Sequence, residues 1–205
     1  LGLIKWIYSN YQWSYRDIYR NFPFLIESIN GVEILNQHIF LGTDNGLLVG
    51  YLGENLKDPN NWELVSNDYS SSIHAMRSTE NGFTFISNLN IYSVIDDNDT
   101  FQYEQLEIQI PAEFSDFLID EEDFIYGIDN KKVYSQKNNF NPISTGKNLY
   151  DIELDSQGNL IIGSDLGLIE INRNSYVMKS HIPNSPATGK FSAIKVLKDG
   201  RFVGA

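Results

Sequence analysis

Alternating and continuous apolar stretches between Leu149 and Ile171 predict three short strands joined by two tight turns. Tyr150, Ile152 and Leu154 lie two residues apart, which is the period of a strand with one buried face. A second run, Leu160 to Ile162, is apolar throughout, and a third ends the segment. The residues between these runs include Asp and Gly, which tight turns favour, so the segment predicts a β-meander.

The same arrangement of strands and turns recurs along the chain. The small residue that opens the second turn of each copy marks the repeat: Gly42, Ser87, Gly127, Gly163 and Gly204. These markers are separated by 45, 40, 36 and 41 residues. A repeat of about 40 residues with several short strands is typical of propeller blades. We therefore predict an all-β fold, a β-propeller or part of one, in which residues 1–205 form about five four-stranded blade equivalents.

The register of the repeat also predicts how the ends of the chain are used. Gly2 to Trp6 aligns with Gly46 to Gly50, so the chain should begin at the third strand of a blade. Gly204-Ala205 falls where a second turn would begin. We expect a fragment of a longer protein, which the break within the motif favours. The alternative is a ring closed by pairing the first and last strands.

Segments with aromatic residues follow the third strand in several copies and predict the outermost, fourth strand. Trp13 to Ile18 and Trp62 to Val65 occupy equivalent positions, and Tyr103 to Leu106 and Ser180 to Ile182 are their counterparts in later copies. We expect the aromatic side chains to pack between neighbouring blades. The alternative is a set of platforms on which sugars stack.

Two acidic runs are predicted to be exposed turns. Asp120-Glu-Glu-Asp123 falls at the first turn of a copy, where a charged hairpin tip would discourage edge pairing. Asp96 to Thr100 contains an Asp-x-Asn fragment, but it lacks the Gly and the distant Glu of an EF-hand calcium loop. We expect a solvated turn there.

Charge and composition exclude several classes of partner. The chain carries 15 basic and 27 acidic residues, a formal net charge of −12 with no basic stripe, so we expect neither nucleic acid nor an anionic membrane as partner. No apolar run is long enough to cross a membrane as a helix, so we expect no direct insertion of this segment. Cysteine is absent, which rules out disulfides and thiolate metal sites.

The sequence contains no familiar catalytic motif. The nucleophile elbow, the P-loop and the Rossmann fingerprint are all absent. His38, His74 and His181 have no metal-binding spacing and do not occupy equivalent repeat positions. We expect core or surface imidazoles, and the alternative is an acid–base pair in a central channel.

A polar residue recurs in the turn between the second and third strands: Asp44, Asn88, Asp129 and Asp165. In a propeller these turns gather on one face around the channel, so we predict a ligand-binding site there. We predict no cofactor, with Ca²⁺ as the one candidate because carboxylate oxygens suit it. The alternative is that each side chain bonds the backbone of its own tight turn.

The best copy, Asp155-Ser-Gln-Gly-Asn-Leu-Ile-Ile-Gly-Ser-Asp-Leu-Gly-Leu168, resembles the two-component regulator propeller repeat. Ile39 to Leu47 matches the second half of that repeat closely. Two copies depart from it, because Ser87 replaces a Gly and Lys131-Lys132 stand where Gly-Leu would be. The resemblance implies an extracytoplasmic location (periplasm, cell surface or secreted). Proteins with this repeat include sensor regions of hybrid histidine kinases and secreted or surface proteins of Bacteroidetes-like bacteria, among them type IX secretion components.

From the absence of a catalytic motif and this resemblance we predict a non-catalytic, extracytoplasmic binding or scaffold module of a larger bacterial surface, secreted or sensor protein. Its partner would be a glycan, a peptide or a protein. The alternative is a propeller enzyme, such as a lyase, lactonase or glycosidase, that acts on a carbohydrate-like substrate through carboxylates of the channel-face turns.

Overall fold

The computed structural model describes residues 2–65, 71–97, 100–182, 189–197 and 201–204, which contain twenty strands and two short 3₁₀ turns. The chain divides into two compact units, Leu1–Gln109 and Ile110–Ala205. Within the described ranges, no helix is long and apolar enough to cross a membrane.

The first unit contains one two-stranded and two four-stranded antiparallel sheets, each with its strands in chain order. The two-stranded sheet is β1 (Leu3–Ser9) and β2 (Gln12–Tyr19). The first four-stranded sheet is β3 (Ile29–Leu35), β4 (His38–Thr43), β5 (Gly46–Tyr51) and β6 (Trp62–Leu64). The second is β7 (Ile73–Thr79), β8 (Gly82–Ser87), β9 (Asn90–Asp97) and β10 (Thr100–Gln109).

The second unit contains two four-stranded sheets followed by a two-stranded one. Its first sheet is β11 (Asp116–Ile119), β12 (Ile125–Asp129), β13 (Lys132–Ser135) and β14 (Ile143–Ser144). Its second sheet is β15 (Leu149–Leu154), β16 (Leu160–Ser164), β17 (Gly167–Ile171) and β18 (Met178–His181). The final sheet is β19 (Ile194–Val196) and β20 (Phe202–Gly204).

This order confirms the predicted all-β class and the meander between Leu149 and Ile171. The predicted outer strands correspond to β2, β6, β10 and β18, and the four-stranded sheets have the strand number of propeller blades. The connection from β19 to β20, residues 198–200, lies outside the described residues. So does part of the predicted turn Asp96 to Thr100, namely residues 98 and 99.

The second turn of the repeat is held by a buried hydroxyl group. Thr43 donates its hydroxyl hydrogen to the carbonyl of Gly46 at 2.8 Å, and Ser164 does the same to Gly167 at 2.7 Å. The two glycines have φ angles of 114° and 104°, which side chains rarely tolerate. In these two copies the turn itself therefore explains the Ser or Thr and the second glycine of the Gly-[Ser/Thr]-x-x-Gly pattern.

The pairing register corrects two of the repeat markers. Gly42 pairs with Leu47 and Gly163 with Leu168, next to the pair that closes each hairpin. In the two degenerate copies the equivalent pairs are Ile86 with Ile91 and Ile128 with Val133. The predicted markers Ser87 and Gly127 are each one residue away from the equivalent position. Apolar residues fill these positions in place of glycine.

Apolar side chains of adjacent sheets form the core of each unit. In the first unit, Phe40, Phe83 and Phe85 belong to one fully buried cluster. In the second, Ile152 and Ile162 belong to a cluster that also includes Tyr126. These clusters anchor the strands whose ends and edges carry the polar groups.

Two expectations about side-chain environment fail, each at one residue. Trp13 does not pack between neighbouring sheets, because the residue is 69% exposed beside Tyr8, whereas Trp62 is 3% exposed and donates its indole N–H to the carbonyl of Leu56. The acidic run does lie in the turn between β11 and β12, where residues 121–123 are exposed, but Asp120 is only 5% exposed and accepts a 2.7 Å bond from Arg173. The arginine neutralises the charge that burial would otherwise penalise.

Candidate functional site

The four predicted turn residues do not occupy one equivalent position. Asp44, Asn88 and Asp165 each follow the last residue of the second strand. Asp129 is itself the last residue of β12, so Asn130 is the true counterpart. Asp44 and Asn88 belong to the first unit, and Asp129 and Asp165 belong to the second.

Three of these side chains fasten the segment that enters the first strand of the same sheet. Asp44 accepts bonds from the backbone N–H groups of Glu27 at 3.0 Å and Ser28 at 3.1 Å. Asp165 accepts from the backbone N–H of Asn148 at 3.2 Å and from its side-chain amide at 2.9 Å. The Asn88 amide donates to the Ser71 hydroxyl at 2.7 Å.

These bonds give the turn residues a structural task. A carboxylate that already accepts two hydrogen bonds has less capacity left for a ligand. No side-chain hydrogen bond to Asp129 occurs among the described residues, and nowhere in those residues do three or more acidic or histidine side chains cluster closely enough to hold a metal ion. Their role in ligand binding stays a prediction.

A second feature of the first unit, which we call the rim cleft, has a composition suited to ligand binding. It is an open cleft of about 470 Å³ along the ends of β4 and β5, the outer strand β6 and the outer strand β10. Its lining is His38, Val49, Gly50, Tyr51, Glu54, Asn60, Asn61, Glu63, Leu64, Val65, Phe101 and Tyr103. The lining therefore combines four rings, two carboxylates and two carboxamides.

The aromatic wall of the rim cleft is continuous with the core. The His38 ring centroid lies 5.1 Å from that of Tyr51 and 4.9 Å from that of Phe101, the latter edge to face. Phe101 in turn lies 5.0 Å from Phe40, which is fully buried. Packing on a buried ring fixes the position of the exposed rings and lowers the entropy lost on binding.

Hydrogen bonds also fix the orientation of the His38 ring. Its Nδ1 lies 2.9 Å from the carbonyl oxygen of Asn36, which can only accept, so Nδ1 carries a proton. In the neutral ring Nε2 is then the acceptor. Tyr51 donates its hydroxyl to Gln37 at 3.3 Å, and Asn36 and Gln37 form the left-handed turn that joins β3 to β4.

Another part of the cleft lining is built on a short 3₁₀ turn, Pro59–Asn61. Asp58 caps this turn by accepting the backbone N–H of Asn60 at 3.0 Å. Asn61 donates its amide to the carbonyl of Asn55 at 3.0 Å. Buried Trp62 anchors β6 directly afterwards, which places the exposed carboxylate of Glu63 along the cleft.

Sequence reasoning did not identify the rim cleft. It treated His38 as a core or surface imidazole. It treated Tyr103 as an inter-blade packing residue of a repeated outer strand, with a sugar-stacking platform as the alternative. The cleft is formed from non-equivalent positions of two consecutive copies. The sequence does show that the outer strands contain aromatic and acidic residues. The pattern of one copy does not tell which of these residues meet in the folded chain.

The sequence matches no family model, and no curated protein matches it. Solved structures do match. Over 93% of this chain, the extracellular domain of the proposed one-component system BT4673 from B. thetaiotaomicron has a TM-score of 0.61 at 14% identity. Virginiamycin B lyase from Staphylococcus aureus has a TM-score of 0.54 at 12% identity over 84% of the chain. The WD40 β-propeller domain of Doa1 has a TM-score of 0.52 at 13% identity over 86%.

These likenesses concern the fold. This chain spans 27% of the BT4673 structure, 61% of the lyase and 60% of the Doa1 domain. Together with the consecutive four-stranded meanders, they show that the fold class is an all-β propeller architecture.

Proposed function

We propose that this chain is part of an extracytoplasmic β-propeller module that binds a ligand without transforming it, within a larger bacterial surface, secreted or sensor protein. The observation that carries the binding role is the rim cleft, in which positioned rings and exposed polar groups face solvent. The likeness in fold to the extracellular domain of BT4673 supports the extracytoplasmic location.

The rim cleft is a better binding site than the turn residues because its two carboxylates do not hold the entry segment of a sheet. Glu54 and Glu63 are exposed and line open space. Asp44 and Asp165 already bond the entry segments of their own sheets. A ligand at those turns would have to compete with bonds that hold the fold, whereas a ligand in the cleft would displace only water.

Binding to arrays of glycans and of peptides tests this function directly. The ligand with the strongest signal is then measured against two cleft variants, Tyr51→Ala and Glu63→Gln. We expect each substitution to weaken binding about tenfold, because stacking on a ring and a hydrogen bond to a carboxylate each contribute on the order of 1–2 kcal/mol.

Two matched controls carry the same chemical change elsewhere in the first unit. Tyr15→Ala removes an exposed ring from β2, and Glu27→Gln removes a carboxylate at the opposite end of the first four-stranded sheet, beside the Asp44 turn. Both should bind as the unmodified chain does. Equal loss in the controls and the cleft variants would contradict a site in the rim cleft.

The state of the recovered ligand separates binding from catalysis. We expect mass spectrometry to return it unchanged after prolonged incubation. Turnover that is lost in Asp44→Asn, Asp129→Asn or Asp165→Asn variants that still fold would instead establish the enzyme with catalytic turn carboxylates.

A further inference from the structure

We infer that the rim cleft takes a cationic ligand, the Lys or Arg side chain of an extended peptide segment. This inference rests on the proposed function, because it names the class of ligand for the same cleft. Its basis is that aromatic rings and two exposed carboxylates line the same space.

The charged side chains that line the rim cleft are the carboxylates of Glu54 and Glu63. Glu54 and Glu63 are both exposed, and among the residues that the structure describes the lining contains neither Lys nor Arg. Lys57, the basic residue of the same connecting loop, is paired with Asp17 at 2.7 Å. The local excess of negative charge therefore matches the formal net charge of −12 and favours a cation.

The rings supply a second attraction for a cation. Tyr51, Phe101 and Tyr103 line the same space as the two carboxylates. The negative face of an aromatic ring attracts an ammonium or guanidinium group, while the methylene stem of Lys or Arg packs on the ring. His38 presents the Nε2 acceptor in its neutral form, because Nδ1 is engaged with the Asn36 carbonyl.

The position of the cleft suits a peptide better than a free amine. Strands β6 and β10 are each the outermost strand of their sheet. An outer strand has unpaired backbone groups along one edge, to which an extended peptide can add. The volume of about 470 Å³ accommodates a long side chain together with part of its backbone.

Titration calorimetry of the full chain with three probes tests the ligand class. The probes are a short peptide of alternating lysine and serine, the same peptide with every lysine acetylated, and the neutral oligosaccharide maltotetraose. Acetylation removes the charge and keeps the length, so we expect it to weaken binding about tenfold or more. Added salt should weaken the lysine peptide's binding and not that of a neutral probe.

Variants separate the cleft from general attraction to an acidic protein. The double variant Glu54→Gln, Glu63→Gln should lose about tenfold in affinity for the lysine peptide, and Tyr51→Ala a similar factor. Glu27→Gln should leave the affinity unchanged. Equal losses in Glu27→Gln and the cleft variants would overturn the inference by showing non-specific binding.

The remaining outcomes also decide the matter. Equal affinity for the two peptides, or no binding of the lysine peptide, overturns the cationic class. If maltotetraose binds instead and Tyr51→Ala abolishes its binding, the ligand is a glycan, and the proposed function stands while this inference fails.

Discussion

Asp165 accepts two hydrogen bonds from Asn148, one from its backbone N–H at 3.2 Å and one from its side-chain amide at 2.9 Å. Asp44 makes the corresponding contact with the backbone of Glu27 and Ser28 in the first unit. In these two sheets the acidic residue therefore closes the loop that enters the first strand. A residue type that suggested ligand binding has a structural role at both positions.

The substitution Asp165→Asn should destabilise the chain by about 1–2 kcal/mol, because the new amide group opposes one of the two donors of Asn148. Chemical denaturation followed by circular dichroism measures this loss. The control is Asp129→Asn, whose carboxylate accepts no bond from the described residues and should change stability by less than about 0.5 kcal/mol. Equal effects of the two substitutions would contradict the structural role of Asp165.

Gly167→Ala should destabilise the chain more than Gly146→Ala. Both glycines have positive φ angles, 104° and 69°, so alanine pays a conformational cost of about 1–2 kcal/mol at either position. Only at Gly167 would the added Cβ collide with a backbone carbonyl, that of His181, whereas Gly146 faces open space. Thermal unfolding of the two variants measures the loss of stability that each substitution causes. Equal losses would show that β18 moves to accommodate the methyl group.

The stability of the chain should decrease in acid through Asp120. Burial alone raises the pKa of Asp120, but the backbone N–H groups of Phe124 and Glu122, the hydroxyl of Tyr126 and the charge of Lys137 outweigh it and hold the pKa below its ordinary value. The carboxylate therefore contributes stability above about pH 4, and this contribution is lost as the pH falls through the folded-state pKa.

Unfolding of Asp120→Asn as a function of pH measures this contribution. The variant should be less stable than the unmodified chain by about 1–3 kcal/mol at neutral pH, and the difference should shrink as the pH falls below about 4. Glu121→Gln, an exposed carboxylate of the same turn, is the control, and its stability at neutral pH should remain within about 0.5 kcal/mol of the unmodified chain. If the difference in stability between Asp120→Asn and the unmodified chain did not change with pH, the ionised carboxylate of Asp120 would not be its source.

Asp151 holds β19 against β15 by accepting the backbone N–H of Ile194 at 2.6 Å. Asp151→Ala should accelerate hydrogen exchange of the Ile194 amide by about tenfold to a hundredfold, since a bond to a charged acceptor contributes about 1.5–3 kcal/mol. Glu153→Gln breaks the pair with exposed Lys195 on the same two strands and should change that rate less than about twofold. Similar rates in the two variants would show that the strand pair is held by other contacts.

The pattern of apolar and turn-forming residues predicted the fold, because strands and tight turns depend on residues that are close together in the sequence. Thr43 and Ser164 bond glycines three positions away, so their turns are readable from the sequence. The register of Asp129 was misassigned because Lys132 stands at the glycine position of this turn, so the signal that marks the turn in the other copies is missing. Asp120 was placed at an exposed tip because Arg173, which neutralises it, lies 53 positions later. The rim cleft brings together residues of two consecutive copies, from His38 to Tyr103, and the pattern within one copy does not predict that they meet.

Mapping backbone amide chemical shifts of the isotope-labelled chain, on addition of the ligand selected from the arrays, locates the binding site most directly. We expect the largest shifts at Val49, Gly50, Glu63 and Tyr103 along the rim cleft, with the turns of Asp44 and Asp165 unchanged. Shifts that concentrate at those turns and leave β6 and β10 unchanged would contradict the rim cleft as the binding site and return the ligand to the channel-face turns.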